Sequence, residues 1–172
     1  KSHEYPTQPL AWMLNAEFDD ITIHGGLSLD WAVGGLNPEA IDVALRIGGR
    51  VVWMPTFDAA HWRSIRPGAW HNARMGITVL DTDGNLLPIC HEILDVIQSH
   101  DAVLASGHLS PNETAILLAE SLRRGIRSIV THASFWTPCE LQQSIATRGG
   151  YIEQCAIAVI GEEGESAWPP LV

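Results

Sequence analysis

The chain has 172 residues, 46% of them hydrophobic and 17% charged, with a formal net charge of −10 at pH 7. That is the composition of one core-rich globular domain, not of a disordered segment. A surface this acidic repels phosphate backbones and excludes nucleic acid as a partner, and no run of 18 apolar residues is present to cross a membrane.

No apolar segment of signal-peptide type follows Lys1. The three cysteines, Cys90, Cys139 and Cys155, are odd in number, widely spaced and without a C-x-x-C pair. They predict free thiols in a reducing, cytoplasmic compartment.

In chain order, Ile21-Thr22-Ile23 predicts a short strand ending at His24-Gly25-Gly26. Asn37 as N-cap, Pro38 at the first helical position and Gly48-Gly49 as the stop then bound a helix. "RVVWM" is the next strand and ends at Pro55-Thr56. Residues 57–87 predict an inserted loop and hairpin. The irregular part is rich in Trp, His and Arg, and Asp83-Gly84 forms the turn of "ITVLDTDGNLLP". Pro88 opens a helix to Ser99 with Ile89, Ile93, Val96 and Ile97 on one face.

Two further units repeat one pattern. Val103–Ala105 is a strand, Ser110-Pro111-Asn112-Glu113 a capping box, and the following helix ends at Gly125. "RSIVTH" is a strand, Thr137-Pro138-Cys139-Glu140 a second capping box, and that helix stops at Gly149-Gly150. "YIEQCAIAVI" is a further strand.

Strand, short loop, capped helix, glycine, strand is the signature of βα units on a parallel sheet. The continuous apolar strands fit a sheet buried on both faces. The chain therefore predicts a single α/β domain over residues 1–172, either an open doubly wound sheet or a TIM-type barrel. No glycine-rich phosphate loop follows any strand, which disfavours a nucleotide-binding open sheet. Polar residues recur at the strand ends, at His24, Thr56, His108, His132 and Glu153, and a barrel gathers its site at that end.

His108 and His132 occupy equivalent positions in consecutive units. Neighbouring parallel strands lie about 4.8 Å apart, so the two imidazoles can share one ion at Zn–N distances of about 2.0–2.1 Å. The alternative is that each merely caps a strand or helix. Glu153 is a candidate base or extra ligand, or else the partner of an arginine. His24 and Thr56 are candidate substrate-binding groups at strand ends. His61 lies in a segment long enough to cover the site, as do Trp62, Trp70 and His71, and Trp136 is a candidate wall for an apolar pocket. His91 and His100 fall on a helix and read as solvated.

"KSHEYPT", "GGLSLDWAVGGLNPEA", "VVWMPT", "ASGHLSPNE" and "VTHASFW" together resemble a little-characterised bacterial family of the amidohydrolase superfamily. The resemblance implies a metal-dependent hydrolase on a (β/α)8 barrel. It matches His108 to the superfamily's fifth-strand ligand and His132 to its sixth-strand ligand. It places Lys1 and His3 at the end of a second strand, His3 as a further metal candidate and Lys1 as an anion-binding or carbamylated group acting in catalysis. The match has gaps. No H-x-H occurs, no final strand ending in aspartate follows, and a complete barrel takes about 250 residues. The chain reads as an incomplete barrel, strands two to seven, whose open edges call for cover by further chain or another subunit.

The functional expectation is a divalent metal ion, zinc with manganese or iron as substitutes, activating water against an amide, lactone or ester-like small molecule in a homo-oligomer. A metal-dependent decarboxylase or lyase on the same barrel, and a non-catalytic binding or assembly protein, are the alternatives. No G-x-S-x-G motif is present, which disfavours serine hydrolysis.

Overall fold

The computed structural model describes residues 1–66 and 74–156. The chain runs α1 (Gln8–Asn15), β1 (Gly25–Ser28), a 3-10 turn (Trp31–Val33), α2 (Pro38–Arg46), β2 (Gly49–Trp53), α3 (Ala60–Ile65) and α4 (Pro88–Ser99). It continues through β3 (Val103–Ala105), α5 (Pro111–Arg123), β4 (Ser128–Val130), α6 (Ala133–Trp136), α7 (Cys139–Thr147) and β5 (Tyr151–Ile152). The five strands form one sheet in the order β1-β2-β3-β4-β5, and every neighbouring pair is parallel. The α/β class and the parallel sheet are as the sequence predicts. The order never reverses, whereas a doubly wound sheet reverses at its switch point.

Register explains which face is core. Leu27, Val52 and Leu104 pair across β1, β2 and β3 and are at most 1% exposed. With Val130 they meet Ile41 of α2, Ile93, Leu94 and Ile97 of α4, and Leu117 and Leu118 of α5 in one apolar cluster. The other face carries Val51, Trp53, Val103 and Ile129, all partly exposed, and Tyr151, which is 61% exposed.

Five expectations need correction. The first strand is Gly25–Ser28 rather than Ile21–Ile23, because the glycines are the residues that fit. A Cβ on Gly25 would lie 2.5 Å from the Gln8 backbone, and one on Gly26 would lie 2.3 Å from the Trp53 ring. Ile21 is 59% exposed instead. The irregular segment after β2 contains a short helix, α3, while its residues 67–73, including Trp70 and His71, lie outside the described ones. The expected hairpin is reduced to a single bridge, Leu80 to Leu86, around a turn held by the Asp81 carboxylate. The second capping box does not form. Pro138 takes the N-cap of α7 with no side-chain cap, and α6 intervenes before it. The last strand is described only as Tyr151–Ile152, and residues 157–160 of the expected run lie outside the described part.

The first capping box is present and does more than cap. Ser110 Oγ accepts from Glu113 N–H, while the Glu113 carboxylate accepts from Ser110 N–H and Oγ–H. Its other oxygen accepts from Thr78 Oγ1 at 2.7 Å and Val79 N at 3.1 Å, pinning the segment before α4 to α5. Burial alone would raise the Glu113 pKa, but these donors outweigh it and hold the group below its ordinary 4.5. A carboxylate depressed in the folded state stabilises above its unfolded pKa and loses that contribution as pH falls through the folded value. Glu113→Gln should therefore flatten the acid limb of the stability curve below pH 4.5, measured by urea midpoints from pH 6 to pH 3. A limb as steep as the wild type's would show that these bonds do not govern it.

Candidate functional site

Three register-equivalent positions open the site. Trp53, Ala105 and Ile129 are aligned across β2, β3 and β4. Three residues beyond each stand Thr56, His108 and His132. The strand ends are clamped together: Thr131 N–H donates to Ser106 Oγ, Gly107 N–H donates to Thr131 Oγ1, and His108 N–H donates to Pro55 O at 2.9 Å. Gly107 has φ +64°, and a Cβ there would lie 2.3 Å from Met54 O. His132 also sits in the left-handed region, at φ 50°, which costs a non-glycine residue on the order of 1–2 kcal/mol. Strain of this kind clusters at functional sites.

His108 is 4% exposed and neither ring nitrogen has a hydrogen-bond partner among the described residues. It lies 5.6 Å from His132 and 6.1 Å from His3, centre to centre. Trp62 at 4.8 Å, Trp136 at 5.2 Å and Phe57 at 5.8 Å complete its surroundings. Burial, then the positive charge of Lys1, His132 and His3, pushes its pKa down to about 2. The Thr56 backbone opposes that drop only weakly and does not make a properly aligned hydrogen bond. The imidazole is thus neutral, with one lone pair and one N–H, both unpaired.

His132 Nδ1 lies 2.9 Å from Glu153 Oε1. The approach is off the ideal hydrogen-bond direction. This contact, and more weakly Lys1, holds the Glu153 carboxyl below its ordinary value against the effect of burial. Lys1 is exposed as a residue, but its Nζ lies 5.2 Å from the centre of the Trp53 ring. Lost hydration lowers its pKa from 10.5 against the pull of Glu153 and Asp30. His3 stacks on Phe57 at 3.8 Å, and its pKa is lowered by burial first and by Lys1 second.

Among the sequence candidates, the structure gathers Lys1, His3, Thr56, His61, His108, His132, Trp136 and Glu153. His61 reaches the site edge-on to Trp136, 6.2 Å away, and its Nε2 is buried without a described partner. Thr56 is present, but its hydroxyl is engaged by Asp30 and His3 and so supports the site rather than lining it. His24 is misplaced by the strand shift: it is exposed and precedes β1, at the opposite end of the sheet.

Sequence reasoning missed the carboxylates beneath the site. Asp30, 2% exposed, accepts from Thr56 N at 2.8 Å and Asp58 N at 2.9 Å on one oxygen, and from Ser28 Oγ and Thr56 Oγ1 on the other. Asp58 accepts from Trp31 N at 2.7 Å and pairs with Arg63. The signal for Asp30 was its position two residues past a strand, hidden while that strand was placed at Ile21–Ile23. A cavity of about 310 Å³ opens beside them, lined by His3, Asp30, Trp31, Phe57, Asp58 and Arg74 among others.

Among the described residues no three or more His, Cys, Asp or Glu side chains are grouped so that they could together hold a metal ion. His108, with both ring nitrogens unpartnered among the described residues, and His132, 5.6 Å away centre to centre, are two imidazoles of the kind a divalent metal takes. No helix among the described residues is long and apolar enough to cross a membrane. No curated protein and no solved structure matches the chain significantly. Residues 1–153 match the profile of DUF6282, a family of unknown function, and the chain belongs to that family.

Proposed function

We propose that this chain is the site-bearing arc of a (β/α)8 barrel and acts as a metal-dependent hydrolase of amidohydrolase type on a small amide, lactone or ester. Strand order supports the arc: five parallel strands follow one another without reversal, and the side chains of interest cluster where they end. His108 carries the metal reading. A histidine kept only for packing has its ring nitrogens satisfied, since buried polar groups are nearly always bonded. Here neither has a partner among the described residues, and a second imidazole stands in the equivalent position of the next strand.

His108 and His132 would hold the ion, with His3 as third ligand, and imidazole nitrogen favours zinc, with iron or manganese as substitutes. When bound, such an ion polarises a carbonyl and lowers the pKa of water to near neutrality. The chain's own groups do the rest. Glu153, ionised near neutrality, steadies His132 and stands ready to accept a proton. The Lys1 ammonium offers a positive charge to an anionic substrate oxygen. Phe57, Trp62 and Trp136 exclude water around His108 and offer an apolar wall to the substrate. Free Cys90, Cys139 and Cys155 fit a reducing cytoplasm, and the partly exposed apolar face of the sheet fits a homo-oligomer.

The test is zinc retention after dialysis, followed by turnover of a panel of amides, lactones and esters before and after chelation. Stoichiometric zinc and chelator-sensitive hydrolysis are expected. No retained metal, or turnover indifferent to chelation, overturns the reading. Carbon dioxide release from carboxylated substrates in place of hydrolysis would move the chemistry to a lyase.

A further inference from the structure

Hydrogen bookkeeping beneath the site fixes which nitrogen of His3 carries its proton. Thr56 has a single hydroxyl hydrogen, and its Oγ1 meets three groups: Asp30 Oδ2 in a tight contact, Ser28 Oγ at 3.0 Å and His3 Nδ1 at 2.6 Å. Asp30 Oδ1 already accepts two backbone N–H groups, from Thr56 and Asp58, so the carboxylate is the acceptor of this cluster. Two oxygens in contact without a hydrogen between them repel, so the Thr56 hydrogen points at Asp30. The single Ser28 hydroxyl hydrogen lies between Asp30 Oδ2 at 3.1 Å and Thr56 Oγ1 at 3.0 Å, so Ser28 donates within the cluster and takes no hydrogen from Thr56. Thr56 Oγ1 then has only lone pairs left for His3, and the 2.6 Å contact requires a proton on Nδ1. The lone pair falls to Nε2.

We propose that Asp30 and Thr56 are positioning residues that lock His3 as its Nδ1–H tautomer and dedicate its Nε2 lone pair to a divalent cation. The lock stands on these hydrogen bonds alone, and its use for a cation rests on the metal-site reading. The arrangement is a carboxylate–hydroxyl–imidazole chain, in which the outer groups fix ring orientation and raise the basicity of the ligating nitrogen. His3 lines the cavity of about 310 Å³, and its side chain is 30% exposed, so a cation has a way to it.

The experiment records long-range ¹H–¹⁵N correlations of the imidazoles in metal-free protein, with the His3 signals identified by their loss in His3→Gln. A protonated Nδ1 and an unprotonated Nε2 are expected. The reverse tautomer in the wild-type protein overturns the lock without any variant having to fold. Thr56→Ser should keep the tautomer, and Thr56→Val should release it toward Nε2–H, the form that free imidazole side chains prefer. Zinc affinity, titrated by calorimetry, should fall 10- to 100-fold in Thr56→Val and be retained in Thr56→Ser. A locked tautomer with zinc affinity unchanged in Thr56→Val removes His3 from the ligand set and overturns its dedication to the cation, while the His108–His132 pair would still stand.

Discussion

His108→Ala should abolish tight zinc binding, lowering affinity by more than the 10- to 100-fold that loss of an outer-shell partner costs. Turnover should fall with it. The protein should fold nonetheless, because the side chain removed makes no hydrogen bond among the described residues and its burial leaves two polar atoms unsatisfied. Against that stands the cavity left among Phe57, Trp62 and Trp136. His108→Phe fills the space and separates the two effects: it should restore packing and leave zinc binding absent. Calorimetric titration with zinc and a thermal melt decide. Unchanged zinc affinity in both variants would show that His108 is a packing residue.

Gly107→Ala should be among the most destabilising single substitutions in the chain, costing about 3–5 kcal/mol, the upper range for point substitutions, which backbone strain and overpacking can reach. Two effects add. The left-handed φ of +64° is strained for alanine, and the new Cβ would lie 2.3 Å from Met54 O and 2.5 Å from Pro55 O. Neither carbonyl is the end of a flexible side chain. Pro55 O also accepts from His108 N–H, so any shift loosens the site. Gly125→Ala supplies the control: its φ is +76°, but nothing lies within 4 Å of its Cβ position, and about 1 kcal/mol is expected. Melting temperatures should fall by about 10 °C and about 3 °C respectively. Equal falls would show that backbone strain, not the close approach, governs both positions.

Much of the architecture was legible because the signals were local. Asn37 and Ser110 cap helices that begin one residue later, at Pro38 and Pro111, and both side chains accept the expected backbone N–H groups. Apolar runs marked β2, β3 and β4. What failed depended on contacts distant in sequence. Gly25-Gly26 resembles a terminator until Gln8 and Trp53 are known to press on it. Thr137-Pro138-Cys139-Glu140 has the composition of a cap, yet Thr137 N–H is already committed to Ala133 O, at the end of a four-residue helix that periodicity cannot see. The matched histidines were legible from spacing. Asp30 was not, since its partners Thr56 and Asp58 lie 26 and 28 residues away.

The unreversed strand order also bears on how the chain assembles. Pairs such as Ser28 with Trp53, Ala105 with Ile129 and Ile129 with Tyr151 join strands of successive units, each closed over a stretch of similar length. The exception is Trp53 with Ala105, which spans roughly twice that length. Doubling a loop adds only about 0.6 kcal/mol of closure entropy, so the long connection between β2 and β3 slows their meeting by less than threefold. The sheet can therefore grow by neighbour addition, from either side of that seam. The residues that straddle the seam, Thr56 from one side and His108 from the other, come together only when its two halves have docked.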